Sequence, residues 1–355
     1  MKIRDLDTPC LLLDIDQMER NIATMAAFFA GTPAKLRPHF KTPKSPEVAR
    51  RQLAAGAIGI TVAKLGEAEV LADAGLGPIL MANQVVGPLK IDRLMALLAR
   101  GVDITVAVES EFNIDELAAG ARRSGQQPQA IIEVDSGMHR CGTTDPADTV
   151  RLARLLEKNG IRYRGVMGYE GHTVHIDDVS DRREKAGTAL AIVGQHVEAL
   201  AEAGLPAETV SVGGTGTYNI GATWPGVTEI QAGTYVFMDG RYKTVMPEPF
   251  GCALTFLTTI LSVKDAYAVC DAGMKSLSRD MGMPETADGS IKIRGLSEEH
   301  AHLVGDGIAN LKPGDRIELI PSHGDTTLNM HDNYYVRRGD EVIDTWPILA
   351  ARKFR

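Results

Sequence analysis

Reactive side chains in this sequence collect in a few short segments punctuated by glycine and proline. Lys41 lies in RPHFKTPK, at the end of a short apolar stretch. An amine held against apolar walls has a lowered pKa and attacks carbonyl carbons, which is Schiff-base chemistry. Simple solvation is the competing reading, and it is the one expected for Lys35 and Lys44. Asp135, His139 and Arg140 follow another apolar run, and Tyr169, His172 and His175 follow a third. The segment GGTGTYNIG spans 213–221, and AGTYVFMDG spans 232–240. Gly213, Gly214 and Gly216 would let backbone N–H groups close on a phosphate, with hydroxyls from Thr215 and Thr217. A plain tight turn accounts for the same letters. An amine opposite a phosphate cradle points to pyridoxal 5'-phosphate, whose aldehyde and phosphate need these two groups.

A second constellation is PSHGDTTLNMHDN, where His323 and Asp325 are spaced i, i+2. On an extended strand they would share one face. One imidazole and one carboxylate, with water completing the shell, suit a divalent ion such as Mn²⁺ or Mg²⁺ better than thiolate-bound zinc. An ordinary hydrogen-bonded pair is the alternative, and His331 and Asp332 read equally as extra ligands or as loop. His39 reads as packing beside the lysine, His139 and His172 as loop polarity or substrate contacts, and Trp224 and Trp346 as core or interface aromatics. Asp239 and Asp271 carry no assignable role from sequence.

The elements that must position these residues are legible as a repeat. Eight apolar segments of strand length (36–40, 59–62, 78–83, 103–108, 130–135, 163–170, 209–214 and 228–233) alternate with helix-like stretches (46–55, 64–74, 88–99, 110–123, 146–158 and 180–203). Most of the latter open on Ser, Asp, Pro or Glu and close on Gly, the start and stop preferences of helices. Eight such units predict a parallel (β/α)8 TIM barrel over 15–244, although an open doubly wound sheet alternates in the same way. In a barrel, the reactive segments above all fall at the carboxyl ends of strands, where barrel active sites form. After 245 the pattern becomes LTFLTTILSV, YAVCDAG, DRIELIPS, NYYVRR and EVIDTWPI, strands with a hairpin at RRGDEV. The fold class is therefore α/β with a C-terminal all-β domain at 245–355. The opening TPCLLLDID, within 1–14, is expected to pair with that domain.

Composition excludes other classes. The 355 residues carry 38 Lys plus Arg against 46 Asp plus Glu, a formal charge of −8, and are 44% hydrophobic, which excludes a disordered chain. An acidic chain without a basic run lacks the footprint for nucleic acid. No apolar run of about 18 residues occurs, and MKIRDLDTPC has no signal-peptide core. A soluble, cytoplasmic protein acting on a small molecule, with no membrane partner, is expected. The four cysteines are scattered without CxxC, so buried thiols are expected in place of a disulfide framework or zinc cluster.

The ordered set DTPCLLLD, RPHFKTPKSPEVA, ANQVVGP, EVDSGMHRCG, GGTGT, QAGTYVFMD, CDAGMKS, PSHGDTTLNMHD and TWPILAARKF resembles the D-threonine aldolase and D-serine dehydratase family of fold-type III pyridoxal-phosphate enzymes, related to alanine racemase. The resemblance spans nearly the whole chain. It implies an N-terminal barrel, a C-terminal β domain and usually a homodimer. It also implies that Lys41 is the Schiff-base lysine, that Arg140 contacts the cofactor ring oxygen, and that Tyr169 lies near cofactor and substrate. Gly214, Thr215, Gly216, Gly233 and Thr234 would hold the phosphate, and Tyr235 would approach the pyridine nitrogen. His323 and Asp325 match the family's metal pair, and His175 a histidine near the metal and the substrate hydroxyl.

Departures from the family pattern are Pro43, where His often follows KT, and Val62–Ala63, where Cys-Gln often precedes Lys. Eukaryotic-type dehydratases tend to carry His-x-Cys with zinc, and Asp325 removes that thiolate. The resemblance thus implies a metal-activated aldolase for D-3-hydroxy amino acids, D-threonine-like, giving glycine and an aldehyde. A D-serine or 3-hydroxyaspartate dehydratase using the same site is the alternative. A metal-free racemase and a non-catalytic cofactor carrier are disfavoured by the HxD pair and the β domain. Lys41→Ala is expected to abolish both the visible absorbance of bound cofactor and all turnover. Borohydride trapping with peptide mapping is the check, and label on Lys44 or Lys64 overturns the assignment.

Overall fold

The computed structural model describes all 355 residues, Met1–Arg355. The chain passes back and forth between two compact units. An α/β unit comprises Met25–Lys41, Val48–Gly233 and Lys353–Arg355, and a β-rich unit comprises Met1–Thr24, Thr42–Glu47 and Thr234–Arg352. The chain crosses between them after Thr24, Lys41, Glu47, Gly233 and Arg352. No helix is long and apolar enough to cross a membrane.

After a first strand, β1 (Cys10–Asp14), and helix α1 (Ile15–Ala30), the α/β unit lays down eight parallel strands. They are β2 (Lys35–Leu36), β3 (Ile60–Val62), β4 (Ile79–Gln84), β5 (Ile104–Val108), β6 (Gln129–Glu133), β7 (Arg162–Gly168), β8 (Thr209–Val212) and β9 (Glu229–Ile230). Their order is β2-β9-β8-β7-β6-β5-β4-β3. The ring closes between its first and second strands: Leu36 O accepts from Ile58 N–H (2.9 Å), Pro38 O from Thr61 N–H (2.9 Å), and Thr61 O from Phe40 N–H (2.7 Å). On the other side, the N–H groups of Lys35, Arg37 and His39 go to Thr228, Ile230 and Ala232. The LRPHF segment therefore behaves as a strand to Phe40. Pro38 offers no N–H to either neighbour, which is why only its first residues form a regular ladder.

Helices return the chain between strands: α2 (Pro46–Ala54), α3 (Leu65–Asp73), α4 (Pro88–Ala99), α5 (Glu111–Ser124), α6 (Pro146–Lys158) and α7 (Val179–Glu202). Their ends are set locally. Ser110, Asp145 and Asp178 cap α5, α6 and α7 by accepting from Asn113, Ala147 and Asp181 N–H, and α5 stops at Gly125 in the left-handed region (φ 73°). Ile131, Ile132, Val166, Val210 and Val212 are among the apolar strand residues that fill the core. The expected TIM-like barrel is the fold observed.

The β-rich unit also closes on itself. Strands β10 (Leu254–Val263), β11 (Ala268–Cys270), β12 (Glu285–Thr286), β13 (Lys292–Leu296), β14 (Ala301–Val304) and β15 (Arg316–Ile320) pair antiparallel in the ring β10-β11-β14-β13-β12-β15, which returns to β10. Strand β10 is long enough to take β1 antiparallel as well, and β16 (Asn333–Arg338) adds to β1 in parallel with β17 (Glu341–Pro347) as its hairpin partner. The expected pairing of the N-terminal strand with this domain is observed. Asp271 ties the ring to that strand by accepting from Thr8 Oγ1 (2.6 Å), Thr258 Oγ1 (2.5 Å) and Thr259 N–H (2.9 Å). All four cysteines are free thiols, with Cys10 and Cys270 buried and Cys141 and Cys252 half-buried. Burial pushes the Cys10 thiol up to about 12, so it stays protonated and inert.

Candidate active site

In the α/β unit the candidate groups gather at the carboxyl ends of the strands. Lys41 follows Phe40 directly and is half-buried, and its N–H donates to Nδ1 of His39 at 3.2 Å. That bond makes His39 a brace for the lysine backbone. After β6, Asp135 accepts from Gly137 N–H (3.0 Å) and His139 N–H (2.9 Å), which turns the chain outward at His139 (φ 56°) and carries Arg140. Arg140 stands 3.6 Å from Glu133 Oε1 and 5.8 Å from the centre of the Tyr169 ring. Glu133, the last residue of β6, is buried, and Gln84 Nε2 donates to it at 2.5 Å. Burial pushes its carboxyl upward, against the opposing pull of Gln84 and Arg140.

Tyr169 extends β7 and lies against the glycine loop. A Cβ on Gly214 would stand 3.3 Å from the Tyr169 ring, and one on Gly216 would stand 2.1 Å from Val174 O. Gly213 adopts φ 83° with Ile230 close behind it. Three glycines thus serve three different contacts, and the loop after β8 is packed onto the Gly171–His175 turn that carries His175. Gly214 N–H is engaged inside the loop by Thr217 Oγ1 (3.2 Å). Thr215 and Gly233 are buried. His172 is exposed, and His139 is 88% exposed at its side chain, so loop polarity is the better account of the latter.

These residues fit a phosphorylated pyridoxal. A half-buried amine ends the first barrel strand, a guanidinium paired with a buried carboxylate follows the fifth, and a close-packed glycine turn that admits no Cβ at Gly216 follows the seventh.

In the β-rich unit Thr234 and Tyr235 open a short 3₁₀ turn (Thr234–Val236) and are buried, with the Tyr235 ring 5.7 Å from Phe250. His323 and Asp325 are not on an extended strand as expected. Gly324 N–H is captured by Asp239 Oδ2 (3.0 Å), and the helical turn Gly324–Thr327 begins there, so the two side chains flank a helix start. Asp239 also caps Gly240–Val245 through Tyr242 N–H (2.9 Å), and burial pushes its carboxyl up to about 6. His323 Nδ1 pairs with Asp280 Oδ2 at 2.7 Å. A bond to a carboxylate needs the hydrogen on Nδ1, which leaves Nε2 of the neutral ring as the nitrogen that could take a metal.

No group of three or more His, Cys, Asp or Glu side chains is arranged to hold an ion. With only His323 and Asp325 as protein donors, a divalent ion here would need water to complete its shell. His331 is engaged through Nε2 with Ser276 O (2.8 Å), and Asp332 pairs with Arg352, so both belong to the loop. Lys44 departs from the solvated reading. It is buried, and its Nζ donates to Asp325 O at 2.7 Å. Glu133, Glu170 and Asp280 escape sequence reasoning. The first two carry a faint signal, an acid at the carboxyl end of an otherwise apolar segment.

The alanine racemase N-terminal domain matches residues 13–240, and a putative serine dehydratase domain matches 253–337. The 3-hydroxy-D-aspartate aldolase of Paracoccus denitrificans (strain Pd 1222) is 36% identical over 98% of this chain and 93% of its own length. The D-threo-3-hydroxyaspartate dehydratase of Delftia sp. (strain HT23) is 33% identical over 97% of each chain. The crystal structure of D-threonine aldolase from Filomicrobium marinum superposes with a TM-score of 0.95 at 35% identity, covering 99% of this chain and 98% of that one. The fold is the alanine racemase-like one, a TIM-like barrel followed by an antiparallel barrel. The chain belongs to the D-threonine aldolase and D-serine dehydratase family, whose fold implies pyridoxal phosphate as cofactor.

Gly216→Ala is expected to displace the loop from Val174, costing about 1–3 kcal/mol of stability and most of the cofactor affinity. Gly214→Ala meets the Tyr169 ring at 3.3 Å and the Val174 side chain at 3.4 Å, side chains that can give, and should be milder. Thermal unfolding and cofactor titration check both, and an unimpaired Gly216→Ala would show that the loop does not depend on this contact.

Proposed function

We propose that the protein is a pyridoxal-phosphate-dependent, divalent-metal-assisted aldolase that cleaves D-3-hydroxy amino acids of the D-threonine type to glycine and an aldehyde. The observation that carries the reading is the Asp280–His323 bond, which engages Nδ1 and leaves Nε2 as the donor for an ion two residues from Asp325. It gives this chain a nitrogen and an oxygen donor where a His-x-Cys dehydratase would offer a thiolate, and the barrel supplies the amine and the glycine turn.

When bound, pyridoxal phosphate supplies the electron sink for charge released at Cα. Lys41 offers Nζ as its anchor. Arg140, kept in place by Glu133, would hold the ring oxygen, and Tyr169 would line the pocket. Thr215, Gly216, Gly233 and Thr234 would hold the phosphate, with Tyr235 on the pyridine side. A divalent ion at His323 and Asp325 would supply Lewis acidity toward the β-hydroxyl. His175 takes the proton from that hydroxyl, because imidazole titrates near the operating pH. Loss of that proton is what allows the Cα–Cβ bond to break. The second reading, dehydration at the same site, is favoured by the Delftia relative, which is a dehydratase of nearly equal similarity.

Incubation with D-threonine, D-3-hydroxyaspartate and their L-isomers separates the readings. Glycine plus aldehyde from the D-isomers supports aldol cleavage, and a keto acid plus ammonia without glycine replaces it with dehydration. His175→Ala should lower cleavage by about 10² to 10⁴ while cofactor absorbance survives, and near-normal glycine release would remove the base role. EDTA should abolish activity, spare the cofactor spectrum and be reversed by Mn²⁺. Full activity after chelation, or in His323→Ala, would remove the metal from the mechanism.

A further inference from the structure

Glu170 follows Tyr169 at the end of β7 and is fully buried, with no cation among its hydrogen-bond partners. Its carboxyl reaches two points of the glycine loop at once: Gly213 N–H donates to Oε2 at 3.1 Å, and the Thr217 hydroxyl donates to Oε1 at 2.6 Å. Thr217 Oγ1 in turn accepts from Gly214 N–H. The backbone of Glu170 is fixed as well, because its carbonyl accepts from Thr173 N–H (2.9 Å) and Thr173 Oγ1 (2.8 Å). One acid therefore clamps both ends of Gly213–Thr217 from beneath.

A buried carboxyl without a cation is costly, and burial pushes its pKa upward. An apolar side chain would fill the volume at lower cost. What an apolar residue cannot do is bond Gly213 and Thr217 together and so hold the turn in one shape.

Resting on the reading that this loop receives the cofactor phosphate, we propose that Glu170 is the positioning residue of the phosphate loop. Through Gly213 and Thr217 it sets how strongly the site prefers a phosphorylated over an unphosphorylated pyridine ligand.

The test uses 4'-deoxypyridoxine with and without its 5'-phosphate, ligands that lack the aldehyde and bind without bonding Lys41. Both are titrated by fluorescence into cofactor-stripped full-length protein. Wild type should prefer the phosphorylated ligand. Glu170→Leu keeps the volume and removes both acceptors, and it should cut that preference by about 10- to 100-fold, the scale of one or two hydrogen bonds. Affinity for the unphosphorylated ligand should not change. Glu170→Gln can still accept from Gly213 and donate to Thr217, so it should rescue the preference to within a few-fold. Thr217→Val should reproduce the loss and add little to Glu170→Leu, as expected of residues in one network. Thermal unfolding of each variant verifies folding, and the Gln and Val variants keep the test decisive if the Leu variant does not fold.

A Glu170→Leu protein with the wild-type preference, or one that loses both ligands in equal proportion, overturns the positioning role alone. A wild type that binds the two ligands equally overturns the loop assignment, and with it the proposal.

Discussion

Closure of the barrel rests on a proline-containing strand. Residues 35–40 donate to the last strand through Lys35, Arg37 and His39, and meet the second strand through Leu36, Pro38 and Phe40. Pro38 can only accept, so the ring closes with one donor fewer than a regular strand would bring. The bond from Phe40 N–H to Thr61 O (2.7 Å) is the last of the three that close the ring and lies immediately before Lys41. The amine is thus placed by backbone bonds on one side and by the His39 ring on the other. Were the strand to end at Leu36, the lysine would hang from a free loop, and no arrangement of the glycine turn across the mouth would restore its position.

The carboxyl ends of the other strands repeat the theme with side chains. Glu133 and Glu170 are the acids at the ends of β6 and β7, both buried, and each reaches sideways to fix a neighbouring group: Arg140 in one case, the glycine loop in the other. Asp239 does the same in the β-rich unit, where it fixes the start of Gly324–Thr327. None of these acids need touch a substrate to matter. Each removes conformational freedom from a group that would otherwise have to be ordered on binding.

Most of the barrel was legible because its signals are local. Helix ends at Ser110, Asp145 and Asp178 are written in single capping residues, and β10 and β16 coincide with their apolar runs. The short strands β12, β13 and β14 were not legible. They are two to five residues long with few consecutive apolar residues, and although β13 pairs locally with β12 and β14, their place in the sheet is set by β15 and β11, some 30 to 35 residues away. The HxD spacing was read with the wrong period, because what starts a helix at Gly324 is a carboxylate 85 positions earlier. The assignment of Lys41, Arg140 and His175 to particular roles came from the family pattern, since spacing alone leaves each open. Lys44 shows the limit most clearly: nothing in its neighbourhood of the sequence announces burial against Asp325.

That burial has a consequence for the order in which the molecule can be built. The six residues after Lys41 belong to the β-rich unit, where Pro43 O accepts from the Tyr334 hydroxyl, Lys44 Nζ binds Asp325 O, and Lys44 O accepts from Ala350 N–H. Every one of these partners is synthesised some 280 to 310 residues later. During synthesis from the N-terminus, helices of the barrel can form as they emerge, but the stretch next to Lys41 gains its partners only after Asp325, Tyr334 and Ala350 have been made. Until those partners have folded, the segment beside Lys41 lacks this support, so the β-rich unit stabilises a stretch of chain that precedes most of the barrel in sequence.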